Sequence, residues 1–153
     1  MQYVIISDSH GNSSAIEEVL YCHPNRDVIF LGDGIRDIER TESLYAGISF
    51  LRVAGNNDLF SLNAPKSITV PMGKHTLFCT HGHNYGVREG TDLIRHYAAA
   101  SGCSAALFGH THVPVNRTEE GILLLNPGSL GYGGTYALLT EKDGRLSAEL
   151  KSL

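Results

Sequence analysis

Val4-Ile5-Ile6-Ser7-Asp8-Ser9-His10-Gly11-Asn12 passes from three β-branched residues directly into a polar cluster. A short continuous apolar run of this kind predicts a strand buried on both faces, as in a parallel sheet. The same transition recurs along the chain. Gly32-Asp33 follows the run Asp27 to Leu31, and Gly55-Asn56-Asn57-Asp58 follows Phe50 to Ala54. Thr80-His81-Gly82-His83 closes the run from His75, and Gly109-His110-Thr111-His112 closes Ala105 to Phe108. In open α/β sheets, sites form outside the carboxyl ends of the strands. Five loops are therefore expected to point into one space.

Helical patterns separate these runs in the first half. Ser14-Ala15-Ile16-Glu17 has capping-box spacing ahead of Val19 and Leu20, with Asn12 read either as a cap or as a phosphate contact. A weaker pattern predicts a helix over about 37–46, closed by Gly47. Strand-helix alternation of this kind argues for parallel pairing with right-handed crossovers. Ser67 to Pro71 and His75 to Thr80 flank Met72-Gly73-Lys74 and predict a hairpin. Thr91 is placed as the cap of a helix presenting Leu93, Ile94, Tyr97 and Ala98 on one face, stopped by Gly102. From Val113 onward only strands and turns are expected: Val115 to Thr118, Gly121 to Leu125, Thr135 to Thr140 and Arg145 to Lys151. The whole reads as an α/β half followed by a β-rich half, two sheets packed together with helices outside.

Composition sets the bounds. A chain of 153 residues suits a single domain, 1–153, and 42% apolar content argues against disorder. Lys and Arg number 12 against 16 Asp and Glu, a formal net charge of −4, which argues against a stable nucleic-acid complex. No apolar run approaches a membrane span, and MQYVIISDSH lacks the pattern of a signal peptide. Cys22, Cys79 and Cys103 form no CxxC pair and read as buried thiols of a cytoplasmic protein. Nothing marks an interface patch, so a homo-oligomer stays open.

Five of the eight His belong to the loops after strands: His10, His81, His83, His110 and His112. Side chains at i and i+2 of extended backbone share a side. On that basis Asp8 with His10, His81 with His83, and His110 with His112 each present two groups together. Carboxylate, amide and imidazole donors in one place suit manganese, iron, zinc or nickel rather than calcium. His23, His75 and His96 lie at a helix end, a turn and a helix, and are expected to be exposed. A Rossmann or P-loop site is disfavoured, because Gly32-Asp33-Gly34 lacks a third glycine and no Gly-Lys-Ser/Thr occurs.

The order Asp-x-His, Gly-Asp, Gly-Asn-x-Asp, His, Gly-His-x-His resembles the calcineurin-like metallophosphoesterases, in particular their small bacterial and archaeal phosphodiesterase branch. The resemblance runs from Met1 to about Leu139 and includes Asn126-Pro127-Gly128-Ser129. It implies a four-layer α/β/β/α sandwich with mixed sheets. It also implies two divalent metal ions, manganese first, bridged by Asp33. Asp8, His10 and His112 would complete one ion, and Asn56, His81 and His110 the other. The implied activity is hydrolysis of a small phosphoester, chiefly a phosphodiester, by a metal-bridging hydroxide.

Position 57 departs from the pattern. Many phosphomonoesterases of the superfamily have His after the ligand Asn, and the small phosphodiesterase branch often has Cys; here it is Asn57. An amide donates a hydrogen bond but supplies no proton. The expectation is an enzyme suited to good leaving groups, or one using another acid. His83 is the candidate, with a solvent-facing loop histidine as the alternative. Arg88 is read as a solvated loop arginine. Two other functions compete: a phosphomonoesterase or nucleotide hydrolase on the same site, and a non-catalytic scaffold similar to the retromer subunit of this fold. Presence of all seven expected ligands counts against the scaffold.

Overall fold

A computed structural model describes residues 1–61 and 63–153. Ten strands form two five-stranded sheets, ordered β10-β9-β1-β2-β3 and β4-β5-β6-β8-β7. In the first, β1 (Gln2–Ile6), β2 (Asp27–Phe30) and β3 (Phe50–Arg52) are parallel. The final hairpin, β9 (Thr135–Lys142) and β10 (Arg145–Ser152), joins antiparallel to β1. In the second, the hairpin β4 (Ser67–Met72) and β5 (His75–Thr80) leads to β6 (Ala105–Leu107), with β7 (Val115–Glu119) and β8 (Ile122–Asn126) beyond. Helices α1 (Ser13–Cys22) and α2 (Ile35–Glu42) cover the first sheet, and α3 (Asp92–Ala100) covers the second.

Alternation along each strand explains the layers. Val4 and Ile6 face α1 and α2, packing with Ile16, Val19, Leu20, Ile35 and Ile38. Ile5 faces the other way, into a core with Leu77, Cys79, Leu107, Leu125 and Leu139 between the sheets. The β-branched run is thus buried on both faces because its strand lies between a helix layer and a second sheet. A third core, around Phe78, Ile94, Ala98, Phe108 and Leu124, seats α3. The expected α/β/β/α sandwich with mixed sheets is the observed fold.

Several local expectations are corrected. The capping reading of Asn12 holds and that of Ser14 does not: Asn12 Oδ1 accepts from Ala15 N at 3.2 Å. Helix α2 starts at Ile35 and ends at Glu42, well before Gly47. Its free amides are capped from a distance: Asp58 Oδ1 accepts from Gly34 N at 2.9 Å and Ile35 N at 3.0 Å. Thr91 makes no side-chain cap, because its hydroxyl accepts from Arg117 Nη2 at 3.0 Å. The buried face of α3 is Ile94, Arg95 and Ala98, while Leu93 and Tyr97 are exposed. The last third contains a one-turn helix, α4 (Leu130–Gly133), besides its strands. Cys22 is exposed, whereas Cys79 and Cys103 are buried. His96 is exposed as expected, but His23 and His75 are half-buried. His23 pairs with the Tyr136 hydroxyl at 2.9 Å and His75 with the Gly144 carbonyl at 3.1 Å.

Candidate metal centre

The five loops meet at the carboxyl ends of β1, β2, β3, β5 and β6. Asp8 Oδ1 lies 3.1 Å from His112 Nε2 and 3.6 Å from His10 Nε2. The two imidazole nitrogens are 3.2 Å apart. Beside this trio, His81 Nε2 stands 3.5 Å from Asp33 Oδ2, 4.0 Å from Asp8 Oδ1 and 3.1 Å from Asn56 Oδ1. The His110 ring lies 5.1 Å from that of His81, centroid to centroid. Asp8, His10 and His112 form one group with donor atoms within 4.8 Å of one another, and Asp8, Asp33 and His81 form a second. Asp8 is common to both groups.

Backbone conformation sets this cluster apart. Among the described residues, the non-glycine residues with left-handed φ are Asp8, His10, Asn25, Asp33, His110, His112, Glu120 and Asp143. Five of these belong to the cluster. Such a conformation costs a side-chain-bearing residue about 1–3 kcal/mol and persists where its surroundings over-determine it. The extended i, i+2 argument therefore does not hold here. Asp8 and His10 converge through left-handed turns, and His110 and His112 diverge: His112 turns to Asp8, His110 to His81.

Residues outside the expected ligands hold the loops. Ser7 Oγ donates to Asp8 Oδ2 at 2.5 Å, and His110 N donates to the same oxygen at 3.1 Å. Asp58 accepts from four backbone amides: those of Gly34 and Ile35, and also Asp33 N at 2.7 Å and Gly55 N at 2.8 Å. Asp37 Oδ2 accepts from Ser9 Oγ at 2.5 Å and Gly11 N at 2.9 Å. Asn126 Nδ2 donates to the Gly109 carbonyl at 2.9 Å, and Ser129 Oγ to the Asp8 carbonyl at 2.9 Å, so the Asn-Pro-Gly-Ser segment ties two ligand loops together. Tyr132 of α4 packs on His10 and His112, with centroids 4.9 and 5.5 Å away. Sequence reasoning missed Ser7, Asp37, Asp58 and Tyr132. Asp58 sits inside the Gly-Asn-x-Asp motif, a signal that pointed to it without a role.

Two glycines allow the approach. A Cβ on Gly55 would fall 2.1 Å from Asp33 Oδ1, and one on Gly109 would fall 2.0 Å from Ser7 Oγ. No side chain fits at either place.

Electrostatics follows the same arrangement. Burial raises the Asp33 carboxyl, but hydrogen bonds from His81 and Asn57 outweigh it and hold Asp33 well below the usual carboxylate range. Burial likewise disfavours the His81 imidazolium, yet Asp33 and Asp8 outweigh it and raise His81 above its ordinary value. Burial first, then His81, lowers both His83 and His110. Of the two expected catalytic residues, Asn57 is turned onto Asp33, donating through its backbone N at 2.8 Å and Nδ2 at 2.6 Å. His83, half-buried at the start of a 3₁₀ turn, lies 5.5 Å from His81 by ring centroids, and among the described residues its Nδ1 has no hydrogen-bond partner.

Carboxylate and imidazole donors facing one another at these distances, with the Nε2 atoms of His10 and His112 converging on one Asp8 oxygen, suit a transition-metal ion. The calcineurin-like phosphoesterase superfamily domain matches residues 1–144. The chain belongs to that superfamily. It is 28% identical to the phosphodiesterase YfcE of Escherichia coli K12 over 169 aligned positions, covering 91% of this chain and 87% of YfcE. A conserved protein of Streptococcus pneumoniae TIGR4, described as a predicted phosphoesterase, has a solved structure that superposes with a TM-score of 0.83 at 27% identity, covering 99% of this chain and 88% of that one. The fold is shared with a single mutant of Vps29 from Entamoeba histolytica, TM-score 0.78 at 18% identity, over 100% of this chain and 99% of that one. Among the described residues no helix is long and apolar enough to cross a membrane.

Proposed function

We propose that residues 1–153 form one metallophosphoesterase domain, acting in the cytoplasm, that hydrolyses phosphodiesters with two divalent ions, manganese first among them. The convergence of the Asp8–His10–His112 and Asp8–Asp33–His81 donors on strained left-handed backbone carries this reading. Kinship with a named phosphodiesterase supports the diester preference. In this reading Asp8, His10, His112 and Asp33 would hold one ion, and Asp33, Asn56, His81 and His110 the other. When bound, such ions supply Lewis acidity and a water nucleophile at neutral pH.

The chain's own residues do the rest. Ser7 holds one oxygen of Asp8 and leaves the other, Oδ1, facing His10 and His112. Asn57 orients both oxygens of Asp33 through its two donors. It can donate to a phosphate oxygen but cannot protonate a leaving alkoxide. His83, whose ring lies 5.5 Å from that of His81, is the residue of the cluster left to exchange a proton there.

The test combines metal analysis with a two-substrate assay. Hydrolysis of bis(p-nitrophenyl) phosphate is expected to exceed that of p-nitrophenyl phosphate, to be restored by manganese and to vanish with chelator. Asp33→Asn is expected to lose both metals together; loss of one alone contradicts the bridging role. A metal-replete protein inert on both esters overturns the hydrolase reading in favour of a non-catalytic scaffold, and a preference for the monoester favours the phosphomonoesterase.

A further inference from the structure

Beside the metal centre lies a groove of about 350 Å³ that shares His10, Asp33 and Asn57 with it. Its outer wall is Leu59 and Phe60, which immediately follow Asp58 in the loop after β3. Both are large apolar residues at 77% and 82% exposure. Single exposed apolar side chains are ordinary, but an adjacent pair lining a concavity next to a polar centre marks a binding surface. Arg36 also lines the groove, its Cζ over the Phe60 ring at 6.0 Å from the centroid, the outer limit of a cation–π contact. Most of the Phe60 face is left open.

The acids of the groove are each held by hydrogen-bond donors of the protein. Asp58 is taken up by four loop amides, Asp37 by Ser9 and Gly11, and Asp33 by Asn57 and His81. Arg36 is the one cation lining the groove, it is exposed, and among the described residues it makes no ion pair. A second concavity of about 490 Å³ continues past Arg36 and Phe60 toward Arg52. The space thus joins an apolar wall to a planar cationic donor beside it. Aromatic walls stack any nucleobase, and a guanidinium can donate to the N7 acceptor of a purine.

We infer that this groove is a nucleobase subsite, so that the diester hydrolysed is a nucleotide ester whose base stacks on Phe60 and meets Arg36 while its phosphate lies at the metal centre. This rests on the reading of the centre as a phosphoester site and names its substrate class. Phe60 and Leu59 act as specificity-determining walls, and Arg36 as the polar contact.

Manganese-loaded protein titrated calorimetrically with AMP and with ribose 5-phosphate tests the inference directly. AMP is expected to bind about tenfold or more tightly, the lower range of base–aromatic stacking. Phe60→Ala is expected to abolish that preference without changing ribose 5-phosphate affinity, bound manganese or melting temperature. Arg36→Ala is expected to reduce it severalfold. Equal affinities in the parent protein, no detectable AMP binding, or an equal loss for both ligands in Phe60→Ala overturns the subsite. The two readings fail separately. An AMP preference without hydrolysis of bis(p-nitrophenyl) phosphate overturns the hydrolase alone, and hydrolysis with equal affinities overturns the subsite alone.

Discussion

His10 and His112 stand 102 positions apart in the chain, yet their Nε2 atoms lie 3.2 Å from each other and within 3.6 and 3.1 Å of the same Asp8 oxygen. Both residues, and Asp8 itself, occupy the left-handed region of backbone space. Neighbouring contacts fix these conformations. Leu130 N and Gly131 N donate to the carbonyls of Ser7 and Asp8 at 3.0 Å each, and Asn126 holds Gly109.

The hydroxyl of Ser7 orients Asp8 from behind, and groups that orient a ligand typically change metal affinity by about 10–100-fold when removed. Ser7→Ala is expected to weaken manganese binding by that amount while the protein stays folded. Competition titration against a chelating dye measures it; an unchanged affinity would mean that His110 N alone positions the carboxylate.

Asp58 is a stabilising residue rather than a ligand. Its carboxylate accepts four amides from the loops after β2 and β3; a hydrogen bond to a charged group contributes about 1.5–3 kcal/mol net, and bonds that share one carboxylate do not add in full. Asp58→Ala is expected to cost about 3 kcal/mol in urea denaturation. It should also lower activity, because Asp33 and Gly55 lose their anchor. A change below about 0.5 kcal/mol, the range of ordinary surface substitutions, would contradict this role.

Removing metal is expected to lower stability as well as activity. A ligand at a hundredfold its dissociation constant adds about 2.7 kcal/mol, and for a chain of this length each kcal/mol moves Tm by about 2–4 °C. Chelation should therefore lower Tm by about 5–10 °C, reversed by added manganese. Equal melting curves with and without chelator would show that the centre holds no ion in solution.

Asn57 donates through both its nitrogens to Asp33. Replacing it with His retains the backbone contact and introduces a group able to give a proton to a poor leaving group. Asn57→His is expected to raise the ratio of monoesterase to diesterase rates about tenfold, below the usual general-acid contribution of about 100-fold or more because the lost amide contact is set against it. A ratio that does not move removes position 57 from the account of specificity.

Much of the centre was legible in sequence, for a definite reason. Apolar runs followed by Asp-x-His, Gly-Asp, Gly-Asn-x-Asp and Gly-His-x-His report where strands end, and strand ends in an α/β sheet share an edge. What was not legible came from contacts distant in sequence. The start of α2 depends on Asp58, 23 residues beyond Ile35. The hydroxyl of Thr91 is diverted by Arg117, 26 residues on. Leu93 and Tyr97 fit a helical stripe, but the second sheet receives the neighbouring face, because Arg95 reaches Glu119 and Glu120 across the end of the β7–β8 hairpin. The α4 turn escaped notice because one turn of Leu-Gly-Tyr-Gly has no period to read.

The order of elements, the burial of each strand on two faces and the identity of the polar loops follow from the amino-acid sequence alone, because hydrophobic periodicity and the placement of polar clusters are local properties. Which side of each loop faces the centre does not. Asp8 and His10 converge, and His110 and His112 part, because tertiary hydrogen bonds from Ser129, Asn126 and Asp58 hold the loops in left-handed backbone that turns these side chains inward. The open groove at Phe60 and Arg36 was likewise decided by the fold, since only packing shows that two adjacent apolar residues have nothing to cover them.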